Sequence, residues 1–315
     1  MDNAYQGLLF IGDPHLSSRI PGFRKDDYPQ AILKKIEFAL NYATQHYLLP
    51  IILGDLFNIP RDNSNRLLTQ LMRLLEARLV LSVTGNHDTT EMELQDDDSL
   101  SVIMSAGRIR LLDQSGPWQG LVNNIPLYIG GSSWSEKIPK EVEIASSNTF
   151  VIWITHHNIG FADSEGTWLK PYEIPGVHLV VNGHIHKPMP SHICGSTTWM
   201  NPGSIARVAR AEAVRDFTPS VLVLKPSAIG QWDTERIALP HEPFESVFYP
   251  MMEQFSEERT GSAFIQGLET IQSMRTEGGA GLVQFINNNI GQFEEDVAAI
   301  ILKLVKEICP NEFTN

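Results

Sequence analysis

The chain has 315 residues, 42% of them hydrophobic and 19% charged, with a formal net charge of −13. That composition supports a sizeable core and excludes global disorder, while the acidic balance disfavours non-specific electrostatic attachment to nucleic acid or an anionic membrane. Two cysteines, Cys194 and Cys309, make no CxxC, no apolar run approaches the ~20 residues of a membrane span, and the N-terminus has no secretory pattern; a cytoplasmic protein without a membrane partner is expected.

In chain order, Gly7–Ile11 reads as a strand ending at "GDPH". Ile32, Leu33, Ile36, Ala39, Leu40 and Ala43 predict a helix over Gln30–Tyr47. "LLPIILGD" is the next strand. Leu67, Leu68, Leu71, Leu74 and Leu75 predict a second helix over Ser64–Ala77. A third strand is expected at Leu79–Thr84 and a short helix at Ser99–Ala106, with Ser99 as its N-cap. From residue 108 onward short strand-like runs dominate. Early βαβ units followed by a strand-rich half predict a layered α/β sandwich with mixed sheets. The core is expected over 1–240, with a helical extension over 241–315. Phe264, Leu268, Ile271 and Met274, then Phe293, Val297, Ile300, Ile301, Leu304 and Ile308, supply two apolar stripes in that extension. They could serve a second copy of the chain, although folding back on the core is favoured.

The strand ends carry a selective set of side chains. They are Asp13 and His15 in "GDPH", Asp55 in "LGDLF", Asn86 and His87 in "GNHD", His156 in "ITHHN", and His184 and His186 in "NGHIH". Carboxyl ends of parallel strands face one crevice, so five separate tips are expected to converge. Imidazole, carboxylate and amide oxygen without thiolate suit Mn, Fe, Zn or Ni better than a structural zinc. Asp-x-His and His-x-His deliver two side chains to one face of an extended segment. Of the adjacent pair His156 and His157, the position after the strand and threonine favours His156.

With "GDPH", "LGDLF", "GNHD", "THH" and "GHIH" in order over roughly residues 7–205, the chain resembles the calcineurin-like metallophosphoesterases. The resemblance implies a four-layer α/β/β/α sandwich and an enzyme using two divalent metal ions, manganese first among them. It implies Asp13, His15 and His186 on one ion, Asn86, His156 and His184 on the other, and Asp55 bridging. His87 would face the scissile phosphate, with Asp88 orienting its ring. Hydrolysis of a phosphoester by a metal-activated hydroxide would follow.

Within that superfamily, the spacing from Asp55 to Asn86 and the loop "NPGSIARVAR" resemble the SbcD/Mre11-type DNA nucleases. That likeness implies DNA as substrate and, by analogy, an SbcC/Rad50-like ATPase partner. The position three residues after Asp55 is Asn58, where many nucleases of this branch carry histidine. Arg61, Arg66 and Arg207, with Arg210, could hold a nucleic-acid backbone. Alternatives on the same centre are a phosphatase, a small-molecule or cyclic-nucleotide phosphodiesterase, and a scaffold that kept the fold without turnover. "QDDDS" reads as a solvated helix-capping loop. Trp153 and Trp199 read as core, and Trp168 is the tryptophan best placed to touch substrate.

Overall fold

Strands β1 (Gly7–Ile11) and β2 (Leu48–Ile52) are buried along their whole length, as runs apolar on both faces should be. They pair in parallel, Gly7 opposite Leu48 through Ile11 opposite Ile52. The computed structural model describes residues 5–143, 148–161, 169–210, 215–249 and 302–303. It places these strands at the centre of a six-stranded sheet. Strands β3 (Leu81–Ser82) and β4 (Arg110–Leu111) continue it in parallel on one side. The antiparallel pair β11 (Ser220–Ala228) and β12 (Gln231–Ala238) closes the other.

A second six-stranded sheet runs β5 (Trp118–Val122), β6 (Ile125–Ser132), β7 (Phe150–Thr155), β8 (Leu179–Asn182), β10 (Thr197–Asn201) and β9 (Met189–Cys194). Its four central strands are parallel and its two edges antiparallel. Both sheets are therefore mixed. Each contributes parallel strand ends to one edge of the molecule.

Three apolar layers hold this together. Helices α1 (Tyr28–Gln45), α2 (Asn65–Leu75) and α3 (Ser99–Ser105) cover the outer face of the first sheet through Ile32, Ile36, Leu40, Leu68, Leu71 and Ile103. Between the sheets lie Phe10, Leu49, Ile51 and Val83 from one and Ile129, Phe150, Ile152 and Val181 from the other. The outer face of the second sheet packs Val151, Val180 and Trp199 against Ile138, Ile159, Ile174 and Val177, residues in connecting segments. Phe10 is fully buried between the sheets. Phe10→Ala is expected to cost about 3–5 kcal/mol, read as a lower urea midpoint at unchanged slope.

The helix ends differ slightly from the sequence expectation. α1 starts at Tyr28 because Asp27 caps it, accepting from the Gln30 amide, and Pro29 fits its first turn. Ser64 caps α2 through the Leu67 amide. Ser99 is the first residue of α3 and not its cap. Asp98 occupies the cap position, but its carboxylate binds Arg61, Thr90 and the Gln95 amide instead. β3 is two residues long, against six expected, because the chain leaves the sheet to build the next turn.

Two compact units divide at residue 250. Segment 244–249 belongs to the first, with the Val247 carbonyl accepting from the Lys25 amide and the Tyr249 amide donating to the Phe23 carbonyl. Both C-terminal stripes lie outside the described residues; beyond residue 249 only Leu302 and Lys303 are described, and they are helical. Among the described residues no helix is long and apolar enough to cross a membrane.

Candidate metal centre

The turns after the strands are built from strained backbone. Asp13, His15, Asp55 and His184 all have positive φ, at 38°, 48°, 47° and 68°. Non-glycine residues enter this region at a cost, and such strain persists where the surroundings over-determine it. Here the surroundings are other tips. The His15 amide donates to the Asp55 carbonyl and the Gly183 amide to the Thr155 carbonyl. The His184 amide donates to Asp13 Oδ1 at 2.9 Å. Gly85 must be glycine because a Cβ there would strike the Asp55 backbone nitrogen and carboxylate.

The structure brings all seven predicted ligands together. His15 Nε2 and His186 Nε2 face each other at 2.8 Å. Asp55 Oδ2 lies 3.6 Å from His15 Nε2 and 3.2 Å from His156 Nε2. His156 Nδ1 is 3.5 Å from Asp13 Oδ1. His184 Nδ1 is 3.0 Å from Asn86 Oδ1. Asp55 belongs to two groups of converging donors, one with His15 and His87 and one with His156 and His184. A carboxylate common to both is where a bridge between two ions would sit.

A metal fits these residues on their own chemistry. Asp13 Oδ2 is a buried atom without a hydrogen-bond partner, and His156 Nε2 has only Asp55 Oδ2, 3.2 Å away. His156 donates Nδ1–H to the Leu53 carbonyl at 2.6 Å, which fixes the tautomer and turns Nε2 towards Asp55. The two Nε2 atoms of His15 and His186 point at one spot, as ligands of a shared ion would. The donors are nitrogen and oxygen only.

Without an ion the cluster balances itself by proton placement. Loss of solvent would lower His156, but Asp55 and Asp13 outweigh it and hold it up to about 9. Burial would raise Asp55, yet His156 and His15 keep it well below the usual carboxylate range. Burial raises Asp13 to about 7. Desolvation lowers His184 to about 3 and puts His15 well below its ordinary value.

Metal binding must therefore release protons. Between pH 7 and 9 one proton, on His156, competes with the ion, and below pH 7 a second, on Asp13, joins it. Affinity should rise about tenfold per pH unit from 7 to 9, more steeply below 7, and level off above 9. Calorimetry in buffers of different ionisation enthalpy counts the released protons. Affinity independent of pH from 7 to 9 would contradict this assignment.

The neighbouring roles need correction. Asp88 does not orient His87. Its carboxylate is fully buried and accepts from the Phe57 amide at 2.9 Å and the Gly85 amide at 3.0 Å. It ties the Asp55 loop to the Asn-His-Asp turn, and burial raises it to about 7. The ring of His87 is instead held by the Asn58 carbonyl, 2.9 Å from Nδ1. Because a carbonyl only accepts, Nδ1 carries the proton and Nε2 lies on the opposite side of the ring. The His87 amide also donates to Asp55 Oδ1 at 2.8 Å.

Of the predicted substrate arginines, Arg207 is buried at 5% exposure and donates to the Phe217 and Glu242 carbonyls, so it is no surface phosphate ligand. Arg61 pairs with Asp97 and Asp98 at 2.6 and 2.9 Å. Arg66 is exposed on the first turn of α2. Arg210 lies 3.9 Å over the Phe23 ring. "QDDDS" is not wholly solvated: Asp98 is fully buried. Trp199 is core, Trp153 is half-buried against it, and Trp168 lies outside the described residues. His157 turns away from the centre to the Glu136 carbonyl.

Two further residues hold the tips together. Buried Asn182 accepts from Thr155 Oγ1 and the His157 amide and donates to the His157 carbonyl, joining the β7 and β8 tips. An amide directly before "GHIH" was the available signal. Ser204 donates Oγ to the Asp13 carbonyl and its amide to the His186 carbonyl. The Pro-Gly-Ser loop thus joins the first tip to the last.

A family model described as calcineurin-like phosphoesterase matches residues 8–188. No curated protein matches the chain. Among solved structures, a hypothetical protein from Thermus thermophilus is 13% identical at a TM-score of 0.42, with 74% of this chain and 100% of that one covered. A 5'-nucleotidase precursor from the same organism is 11% identical at a TM-score of 0.42, with 74% of this chain and 54% of that one covered.

Proposed function

The chain belongs to the calcineurin-like phosphoesterase family, a family of phosphoester hydrolases with dinuclear metal centres, and on that premise we propose that it hydrolyses phosphodiester bonds, with DNA as the substrate. One observation carries the two-metal reading: a single buried carboxylate, Asp55, is shared by two clusters of histidine donors. The likeness of "NPGSIARVAR" and of the Asp55-to-Asn86 segment to SbcD-type nucleases supports DNA and, with it, an ATPase partner. The thiolate-free donor set suits Mn, Fe, Zn or Ni, and manganese is the ion used in the test below.

Asp13, His15, His186 and Asp55 would hold one ion, and Asn86, His156, His184 and Asp55 the other. Bound there, a pair of divalent ions supplies Lewis acidity towards the phosphate oxygens and a nucleophile from solvent near neutral pH. The protein's own part is placement. The His184 and His87 amides donate to the Asp13 and Asp55 carboxylates, and these bonds hold the tips against one another. His87, fixed by Asn58, would hold a proton at Nε2 for the leaving oxygen.

A second reading rests on a specific observation. The net charge is −13, Arg207 is buried, and Arg61 is paired with carboxylates. A surface so equipped suits a small phosphodiester as well as a polymer. The test is manganese-loaded enzyme on single-stranded DNA, duplex DNA, 3',5'-cyclic AMP, bis-p-nitrophenyl phosphate and p-nitrophenyl phosphate. Turnover of DNA and the aryl diester without the monoester is expected. Cyclic AMP turnover without DNA would select the small-substrate reading, and monoester turnover alone would overturn both.

A further inference from the structure

A cavity of about 500 Å³ opens beside the first half of α1, lined in part by Arg24, Asp26, Lys34, Lys35, Arg207 and Glu242. None of the seven predicted metal ligands lines it. Three of its cations are buried: Arg24 is 6%, Lys35 4% and Arg207 5% exposed. Arg24 is balanced, with Nη2 2.6 Å from Asp26. The others are not. Among the described residues, Lys35 and Arg207 form no ion pair with a carboxylate.

Lys35 Nζ donates to the Ile205 carbonyl at 2.7 Å, one hydrogen bond for an ammonium with three N–H groups. Arg207 is anchored on the carbonyls of Phe217 and Glu242. A carbonyl solvates a cation but does not neutralise it, and a buried charge without a counter-charge is costly. Burial, with Arg24 and Arg207 close by, accordingly holds Lys35 down to about 7. The remaining carboxylates at the rim, Asp27 and Glu242, are exposed, where solvent screens them. The first turn of α1 borders the same cavity, and its positive end is already met by the Asp27 cap.

We propose that this cavity binds a phosphate-class oxyanion, free or carried on a mononucleotide. The lack of a directly paired carboxylate on Lys35 and Arg207 among the described residues, the convergence of lysine and guanidinium, and a volume within the range of small-ligand sites all fit such a group. The site is wired to the metal centre. Lys35 holds the Ile205 carbonyl, the Ile205 amide donates to the Gly12 carbonyl at 2.8 Å, and adjacent Ser204 holds the carbonyls of Asp13 and His186.

The full-length protein, stripped with the uncharged chelator 1,10-phenanthroline, is titrated calorimetrically with inorganic phosphate and with AMP. One site per chain is expected for at least one of them, weakened about tenfold or more in Lys35→Met. Tighter AMP would identify a mononucleotide, and equal affinities a free phosphate. Crystals of the metal-free wild type soaked in arsenate supply a readout that needs no variant, an anomalous peak between Lys35 and Arg207. The proposal is overturned by no binding of either anion, by a folded Lys35→Met that binds as the wild type does, or by arsenate found elsewhere only. None of these readouts involves turnover, so the phosphodiesterase reading stands or falls separately.

Discussion

Asp55→Asn is expected to bring bound metal from two ions per chain to fewer than one and to lower kcat/KM by about 10³-fold or more. Asn preserves the shape but removes the one charge common to both donor groups. Asp55 Oδ2 lies within 3.6 Å of His15 Nε2 and 3.2 Å of His156 Nε2, so neither half keeps a full set of anionic ligands. The amide could also turn its NH2 towards the His87 N–H that Oδ1 now accepts, loosening that turn. Metal content by mass spectrometry, read beside turnover, checks this. A variant that retains two tightly held ions would mean that Asp55 bridges nothing.

His87→Ala should separate chemistry from metal binding. Metal content is expected to stay near two ions, while turnover of a substrate with a poor leaving group falls about 10²–10⁴-fold. The size of the loss should depend on the leaving group. An alkoxide, as from DNA, needs a proton as the bond breaks. A p-nitrophenolate barely does, so the aryl diester should lose far less. This contrast follows from the proton-donating role proposed for His87, whose ring the Asn58 carbonyl holds at Nδ1. Equal losses on both substrates would assign His87 to positioning alone. Loss of metal together with activity would make it a ligand, a role its convergence with His15 and Asp55 permits geometrically.

The two predictions lean on different parts of the molecule. Asp55 acts through charge deep in the cleft, where it is 1% exposed. His87 acts through ring orientation, and its ring packs edge-on against His15 with centroids 4.7 Å apart. A fold that merely tolerated these residues would not set the His156 tautomer through Leu53 and the His87 tautomer through Asn58 with separate carbonyls.

The long helices were legible because their apolar positions recur at helical spacing and their caps are local: Asp27 and Ser64 act on amides three residues away. The candidate ligands were legible for a related reason. What a metal selects is side-chain chemistry, and Asp13, His15, Asp55, Asn86, His156, His184 and His186 show theirs in short words at strand ends. Sequence by itself therefore determined the strand–helix order of the first half, the donor set and the family resemblance. Tertiary structure alone decided what holds those donors. The partners of His156 and His87 are the carbonyls of Leu53 and Asn58, and a carbonyl is present in every residue and marks none. It also decided that Asp88 ties two loops together, that Arg207 is buried and that Arg61 meets Asp97 and Asp98, since burial and pairing across 30 or more residues depend on how the chain returns to itself.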